Sequence, residues 1–179
     1  MTPEEKAAVQ QSQRYNKWLA AKIYLSIGQK YKKSWTVKRG EVYFVNLGQN
    51  IGSEENKIRP VVVIQANAYN FKSPVFTCAI ISSSSMTIRD IQVPINNTYA
   101  YTDSDGKAQQ LAGTVDLGQI KTIAKERIVS SKICTLTTEM NEIDEKLLNI
   151  FGLSTLLYKK DNVIASLQGK IDYLKNQIK

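Results

Sequence analysis

Residues 39–67, RGEVYFVNLGQNIGSEENKIRPVVVIQAN, constrain the fold more than any other stretch. They read as strand, polar loop, strand. Val42, Phe44 and Leu47 lie among Tyr43, Val45 and Asn46 in a β-rich run. Val61-Val62-Val63-Ile64 is a continuous β-branched run, long enough for one buried strand and too short for a typical helix. The loop between carries Glu54, Lys57 and Arg59. Pro60 biases Arg59 toward extended backbone, which predicts Arg59 at the mouth of the second strand on a rigid support. A carboxylate beside a fixed guanidinium suits a site that handles phosphate.

The chain has 179 residues, which suits one domain with appendages or at most two small ones. Its apolar share of 42% is enough for one core. A formal charge of +8 favours polyanionic partners: nucleic acid, an acidic protein tail or an anionic membrane surface. The plainer reading is solubility from solvated lysines. Histidine is absent. That excludes Ser-His-Asp and Cys-His nucleophile systems, paired-histidine nucleases and histidine-bearing zinc sites. Acid–base chemistry falls to Glu, Asp, Lys, Arg, Tyr or Cys. Cys78 sits in VFTCAII and Cys134 between Ile133 and Leu136. Both read as small buried hydrophobes of a reduced cytoplasmic protein, with a disulfide between them as the minority reading. The N-terminus lacks an apolar signal core and no apolar run approaches membrane-spanning length, so the expectation is a cytoplasmic chain with no membrane partner.

Arg39-Gly40-Glu41-Val42-Tyr43, then Gly52-Ser53-Glu54 and Arg59-Pro60-Val61-Val62-Val63-Ile64, resemble the opening of the MazF/PemK toxin family. A second block, Gln119-Ile120-Lys121-Thr122-Ile123 with Lys125 and Arg127, resembles it further on. Order, spacing and the second block together carry the match, which spans residues 37–153 and neither end. It implies an α+β fold: a small SH3-like bent β-barrel, MazF/PemK/CcdB-like, with appended N- and C-terminal helices. The division is then 1–36 as an N-terminal helical extension, 37–153 as the barrel and 154–179 as a C-terminal helical extension.

The resemblance implies a homodimeric endoribonuclease toxin (an mRNA interferase) acting on single-stranded RNA and neutralised by an acidic antitoxin. The family's arginine before the loop proline falls on Arg59. Its threonine after the central strand falls on Ser82, following Ile80-Ile81, a departure that keeps the hydroxyl and loses a methyl. Ser83 is close in register. The implied chemistry is attack of a 2′-OH on the adjacent phosphorus, giving a 2′,3′-cyclic phosphate and a 5′-OH. It needs no metal or cofactor because the nucleophile lies in the substrate. Arg59 and Ser82 would donate to the phosphoryl oxygens, and Glu54 would be the general base, with Glu55 the next candidate. Ser53, Lys57, Ser83, Gln119 and Lys121 complete the expected substrate-binding set. The acid stays unassigned, since a guanidinium is a poor proton donor. Tyr69, Phe71, Tyr99 and Tyr101 are candidates for base stacking or for core. Against this stand a bare Arg59–Glu54 pair across the loop, a non-catalytic gyrase-poisoning toxin on the same barrel, and an RNA- or DNA-binding module with no toxic role.

Along the rest of the chain, residues 2–33 read as an amphipathic helix. Thr2 caps it, Pro3 opens it and Glu4 and Glu5 complement its dipole. Its apolar residues, Ala8 to Tyr31, are expected to pack on the chain's own domain or to extend an RNA surface. Gly28 kinks or ends it. Residues 66–70 read as loop or helical turn, 75–81 as a third strand, 88–95 as a fourth at an edge because of Pro94, and 113–120 as a fifth. Residues 96–110 read as a polar loop, with Asp103-Ser104-Asp105-Gly106 as a turn; it resembles part of a calcium loop but lacks the later ligands. Residues 128–133 read as short helix or strand. Thr137 or Thr138 is expected to cap a helix through Phe151, stopped by Gly152. Ile164, Leu167, Ile171, Leu174 and Ile178 form a short heptad seam, expected to pack back on the first helix, or on a second copy of the chain.

Overall fold

A computed structural model of the protein describes residues 1–27, 36–83 and 89–177. The first helix is α1 (Pro3–Ile27), and β1 (Glu41–Asn46) and β2 (Ile58–Val63) follow. A short helix α2 (Asn67–Asn70) leads to β3 (Val75–Ser82), β4 (Gln92–Pro94), β5 (Tyr99–Thr102), β6 (Ala108–Leu111) and β7 (Thr114–Ala124). The chain ends with β8 (Cys134–Thr135), α3 (Glu139–Ile150) and α4 (Ser154–Gln177).

Six strands make one curled antiparallel sheet in the order β4-β7-β3-β2-β1-β8, and β5 and β6 form a separate hairpin. The curl brings Ile128 back to bridge Val45, making a half-barrel. Successive strand residues point to opposite faces. Val61 and Val63 therefore join Tyr43, Val45, Phe76, Cys78 and Ile80 inside the curl. Val62 and Ile64 join Val42, Ala79, Ile81 and Val115 on the outer face, where Ile143 of α3 covers them. Burial on both faces is why the valine run carries no alternating polar residue.

Both cysteines are free. Cys78 is wholly buried, and that burial pushes its thiol up to about 12. Cys134 is half-buried rather than fully buried as expected; burial, then the Glu139 charge, push it up to about 11 against an opposing effect of Lys132. The thiolate is the reactive form. Native protein treated with iodoacetamide at about pH 8 is therefore expected to stay unmodified, and protein in denaturant to take two additions by mass spectrometry. Rapid labelling of the native protein would contradict this packing.

Several expectations need correction. The 88–95 strand shrinks to three residues, because Arg89–Ile91 is a 3-10 turn and Ile88 lies outside the described residues. Residues 96–110 are not a plain loop. Tyr99–Thr102 and Ala108–Leu111 pair around the acidic turn, where the Asp103 carboxylate accepts the N–H groups of Asp105 and Lys107 at 3.0 and 2.9 Å. The β-prone Tyr-Ala-Tyr-Thr run outweighs the polar composition. The fifth strand continues to Ala124. Residues 128–133 fall in no helix or named strand; Ile128 bridges Val45, and the N–H groups of Val129 and Ile133 donate to Phe44 O and Val42 O of β1, each at 2.9 Å. Thr138 makes no capping hydrogen bond; its hydroxyl donates to the Glu139 carboxylate at 3.0 Å instead. Gly152 does stop α3: its N–H reaches Asn149 O at 3.0 Å and the Leu153 N–H reaches Leu148 O at 2.7 Å.

The terminal helices differ most from expectation. α1 opens with a reciprocal capping pair, Glu5 N–H to Thr2 Oγ1 at 3.2 Å and Thr2 N–H to Glu5 Oε2 at 2.7 Å. Yet no residue of α1 or α4 is buried. Ile164, Leu167, Ile171 and Leu174 are exposed, so the seam does not pack back on α1. Periodicity places apolar residues on one stripe but does not say which surface receives it. Ile178, Gly28 and residues 29–33 lie outside the described residues. Among the described residues no helix is long and apolar enough to cross a membrane.

Candidate active site

The loop between β1 and β2 is closed at its neck by two backbone hydrogen bonds. Leu47 N–H donates to Lys57 O and Lys57 N–H to Gly48 O, each at 2.7 Å. Gly48 and Lys57 sit at φ +85° and +65°, which lets both ends of the loop reverse within one residue. Inside the loop, Asn50 Nδ2 donates to Glu55 O at 2.6 Å.

β7 meets this loop through a bulge. Ala79 faces Ile120 while Ile80 faces Asp116, so Leu117, Gly118 and Gln119 have no counterparts on β3. Extra residues on one strand bend it and re-aim its side chains. Gln119 is aimed at the loop. Its Oε1 accepts the Glu55 N–H at 2.7 Å and its Nε2 donates to Ser53 O at 3.1 Å. Lys121 Nζ donates to Glu54 Oε2 at 3.0 Å. Ser53, Glu54, Gln119 and Lys121 line an open depression of about 540 Å³ with Ile51, Gly118 and Ile120.

Arg59 stands at the start of β2, opposite Val45 of β1. Its Nε donates to Glu55 Oε2 at 2.8 Å. Among the described residues its two terminal nitrogens make no hydrogen bond. The β2–β3 register pairs Val61 with Ile80 and Val63 with Cys78. The paired register stops at Val61 and Ile80; Arg59 of β2 and Ser82, the last residue of β3, each lie two residues beyond it. Ser82 is half-buried and pairs with Thr114 on its other side; Ser83 is exposed just beyond.

The geometry separates residues that the sequence groups together. Arg59 pairs with Glu55, not with Glu54, because adjacent side chains in the loop diverge. Glu55 was only the second carboxylate by sequence, and its adjacency to Glu54 hid its role. Lys57 does not reach the depression; it lines a different cleft, against α1. Tyr99 and Tyr101 are structural: the Tyr99 hydroxyl donates to Glu139 Oε2 at 2.7 Å, and the Tyr101 ring meets Phe44 edge-on at 5.8 Å. Tyr69 and Phe71 are exposed, but they lie in α2 and just after it, beyond the far end of β2 from Arg59. Trp18, one of the apolar residues of the first helix, is a residue that sequence reasoning missed: it seats α1 against Gly48.

The chain is thus a curled antiparallel half-barrel with an arginine at a strand mouth, beside a loop clamped to the next sheet segment. The family model for PemK-like, MazF-like toxins of type II toxin-antitoxin systems matches residues 38–151, and the chain belongs to that family. Endoribonuclease EndoA of Bacillus subtilis (strain 168) is 37% identical over 112 residues, 62% of this chain and 90% of that protein. A mycobacterial endoribonuclease in complex with its cognate antitoxin superposes with a TM-score of 0.51 at 23% identity, over 66% of this chain and 97% of that one. MazF of Deinococcus radiodurans gives 0.50 at 15% identity, over 66% of this chain and 98% of its own. At those identities the two solved structures speak to the fold.

Proposed function

We propose that the protein is a metal-independent, sequence-specific endoribonuclease toxin that cuts single-stranded RNA, mRNA included. The observation that carries this reading is Arg59, held by one nitrogen against Glu55 with its terminal nitrogens uncommitted. A guanidinium so held presents a fork to phosphoryl oxygens without further ordering. The substrate 2′-oxygen attacks phosphorus and forms the new P–O bond. The bond from phosphorus to the 5′-oxygen breaks and that oxygen takes up a proton from water, leaving a 2′,3′-cyclic phosphate and a 5′-OH. Charge grows on the non-bridging oxygens, where Arg59 and the Ser82 hydroxyl donate. Glu54, held by Lys121 over the depression, accepts the 2′ proton. Glu55 is a positioning residue that acts through Arg59. Ser53, Ser83, Gln119 and Lys121 bind substrate around it, and Lys57 contributes from the other flank of the loop.

The wider reading follows from family membership. Residues 37–153 form an SH3-like barrel unit between helical extensions 1–36 and 154–179. It works in the cytoplasm as a homodimer and is neutralised by an acidic antitoxin, as the mycobacterial relative is solved with its own.

The test is cleavage of varied RNA in EDTA, with analysis of both new ends. Cutting is expected to persist and to leave cyclic-phosphate and 5′-OH termini. Glu54→Gln keeps the shape and removes the base, and should slow cleavage on the order of a hundredfold or more. Glu55→Gln keeps a weaker acceptor for Arg59 and should cost less. Equal, small losses in both variants would remove the proton-accepting role from Glu54; 3′-phosphomonoester ends without a cyclic precursor would sink the mechanism.

A further inference from the structure

The N-terminal helix builds a second depression on the opposite flank of the same loop. Trp18 rests directly on Gly48: a Cβ built there would lie 2.3 Å from the indole. The Arg127 guanidinium sits 5.2 Å from the Trp18 ring centroid and donates to Leu47 O at 3.2 Å. The indole is thus held between a glycine backbone and a cation, which fixes α1 against the loop. The cleft that results measures about 480 Å³. Arg14 and Lys17 of α1 and Lys57 of the loop line it, together with the amide side chains of Asn46 and Gln49, and no carboxylate does. Among the described residues Arg14, Lys17 and Lys57 form no ion pair.

We propose that this cleft is a second binding site for the phosphodiester backbone of single-stranded RNA, built by α1 beside the cleavage site. Three unneutralised cations facing one concave surface attract a polyanion and release its counterions. The amides add donors and acceptors for sugar and base edges. RNA is favoured over an acidic peptide by continuity. Gly48, Gln49 and Lys57 border the cleft, while Ile51, Ser53 and Glu54 of the same loop border the depression. A strand leaving the reacting phosphate crosses one loop to reach Lys57, then Lys17 and Arg14. In taking RNA as the polyanion, the inference rests on the ribonuclease reading.

The test measures binding of a labelled single-stranded RNA by fluorescence anisotropy at several salt concentrations, in full-length Arg59→Ala protein so that the RNA stays intact. Adding Arg14→Ala and Lys17→Ala removes two cations at exposed helix positions, and alanine preserves the helix. Affinity is expected to fall on the order of tenfold, and the slope of log K against log salt to shrink by about 1.4, near 0.7 per lost contact. Lys159→Ala with Lys170→Ala on α4 removes the same charge elsewhere and should leave the slope in place. An unchanged slope with Arg14 and Lys17 removed overturns the proposal, as does unchanged RNA binding with lost binding to polyglutamate, which would assign the cleft to an acidic protein. If the wild type cuts no RNA but the α1 variant still loses slope, the cleavage reading fails and the cleft stands.

Discussion

Arg59→Ala is expected to slow RNA cleavage by about a hundredfold or more while leaving the protein folded, the usual scale for losing one preorganised charge contact to a transition state. The fold should survive because the side chain is partly exposed and its partner is a single carboxylate, Glu55, that also reaches solvent. The backbone of β2 is untouched: Val45 still faces residue 59, and the valines that follow remain buried. Arg59→Lys sharpens the test. It keeps the positive charge but loses the planar fork, so a single nitrogen on a flexible stem must meet both Glu55 and the phosphoryl oxygens without the guanidinium's fixed spacing. Recovery in the lysine variant is therefore expected to be slight. Single-turnover cleavage and thermal melts on the same samples measure both halves. A folded Arg59→Ala protein that cuts at the wild-type rate removes Arg59 from the active site.

Gly113→Ala should destabilise the protein by about 3 kcal/mol or more, combining the cost of a strained backbone with that of a main-chain clash. Gly113 has φ +125°, and a Cβ there would lie 2.2 Å from the Ser82 carbonyl oxygen and 3.0 Å from its carbon. Both obstacles are backbone, so no side-chain rotation relieves them. The strain falls where β3, β4 and β7 converge: Thr114 pairs with Ser82, and the Ile95 N–H donates to Gly113 O at 3.0 Å. Any relief must displace Ser82, so residual cleavage should fall as well. Gly106→Ala is the control. It shares a positive φ, +78°, but meets nothing within 4 Å and should cost only about 1 kcal/mol. Urea titrations of the two variants read the difference directly. Equal losses would mean that β3 does not approach Gly113 this closely.

The central strands were legible because their signal is local. Val61-Val62-Val63-Ile64 has no polar interruption, and Pro60 sets the entry to it, so both the strand and the place of Arg59 follow from neighbours in sequence. The Asp103–Gly106 turn was legible for the same reason, although the hairpin it joins was not. What stayed hidden depends on distant pairing. The bulge that turns Gln119 onto Ser53 and Glu55 exists only because β3 and β7 differ in length across Ala79 and Ile80. The choice between Glu54 and Glu55 depends on how the loop twists between two of its left-handed residues, Gly52 and Lys57. The seam in α4 was visible as a pattern, but a pattern does not name the surface that meets it.

The six-stranded sheet stops abruptly at both margins. On one side lies β4, three residues long and ending in Pro94, which has no N–H to offer; on the other lies β8, only two residues long. Short or proline-bearing margins leave few free peptide groups in a row, and so resist edge-to-edge aggregation. The same shortness discourages any partner from joining this sheet as a seventh strand. Recognition is thereby directed to loops, grooves and helix surfaces, where side chains rather than main-chain ladders select what binds.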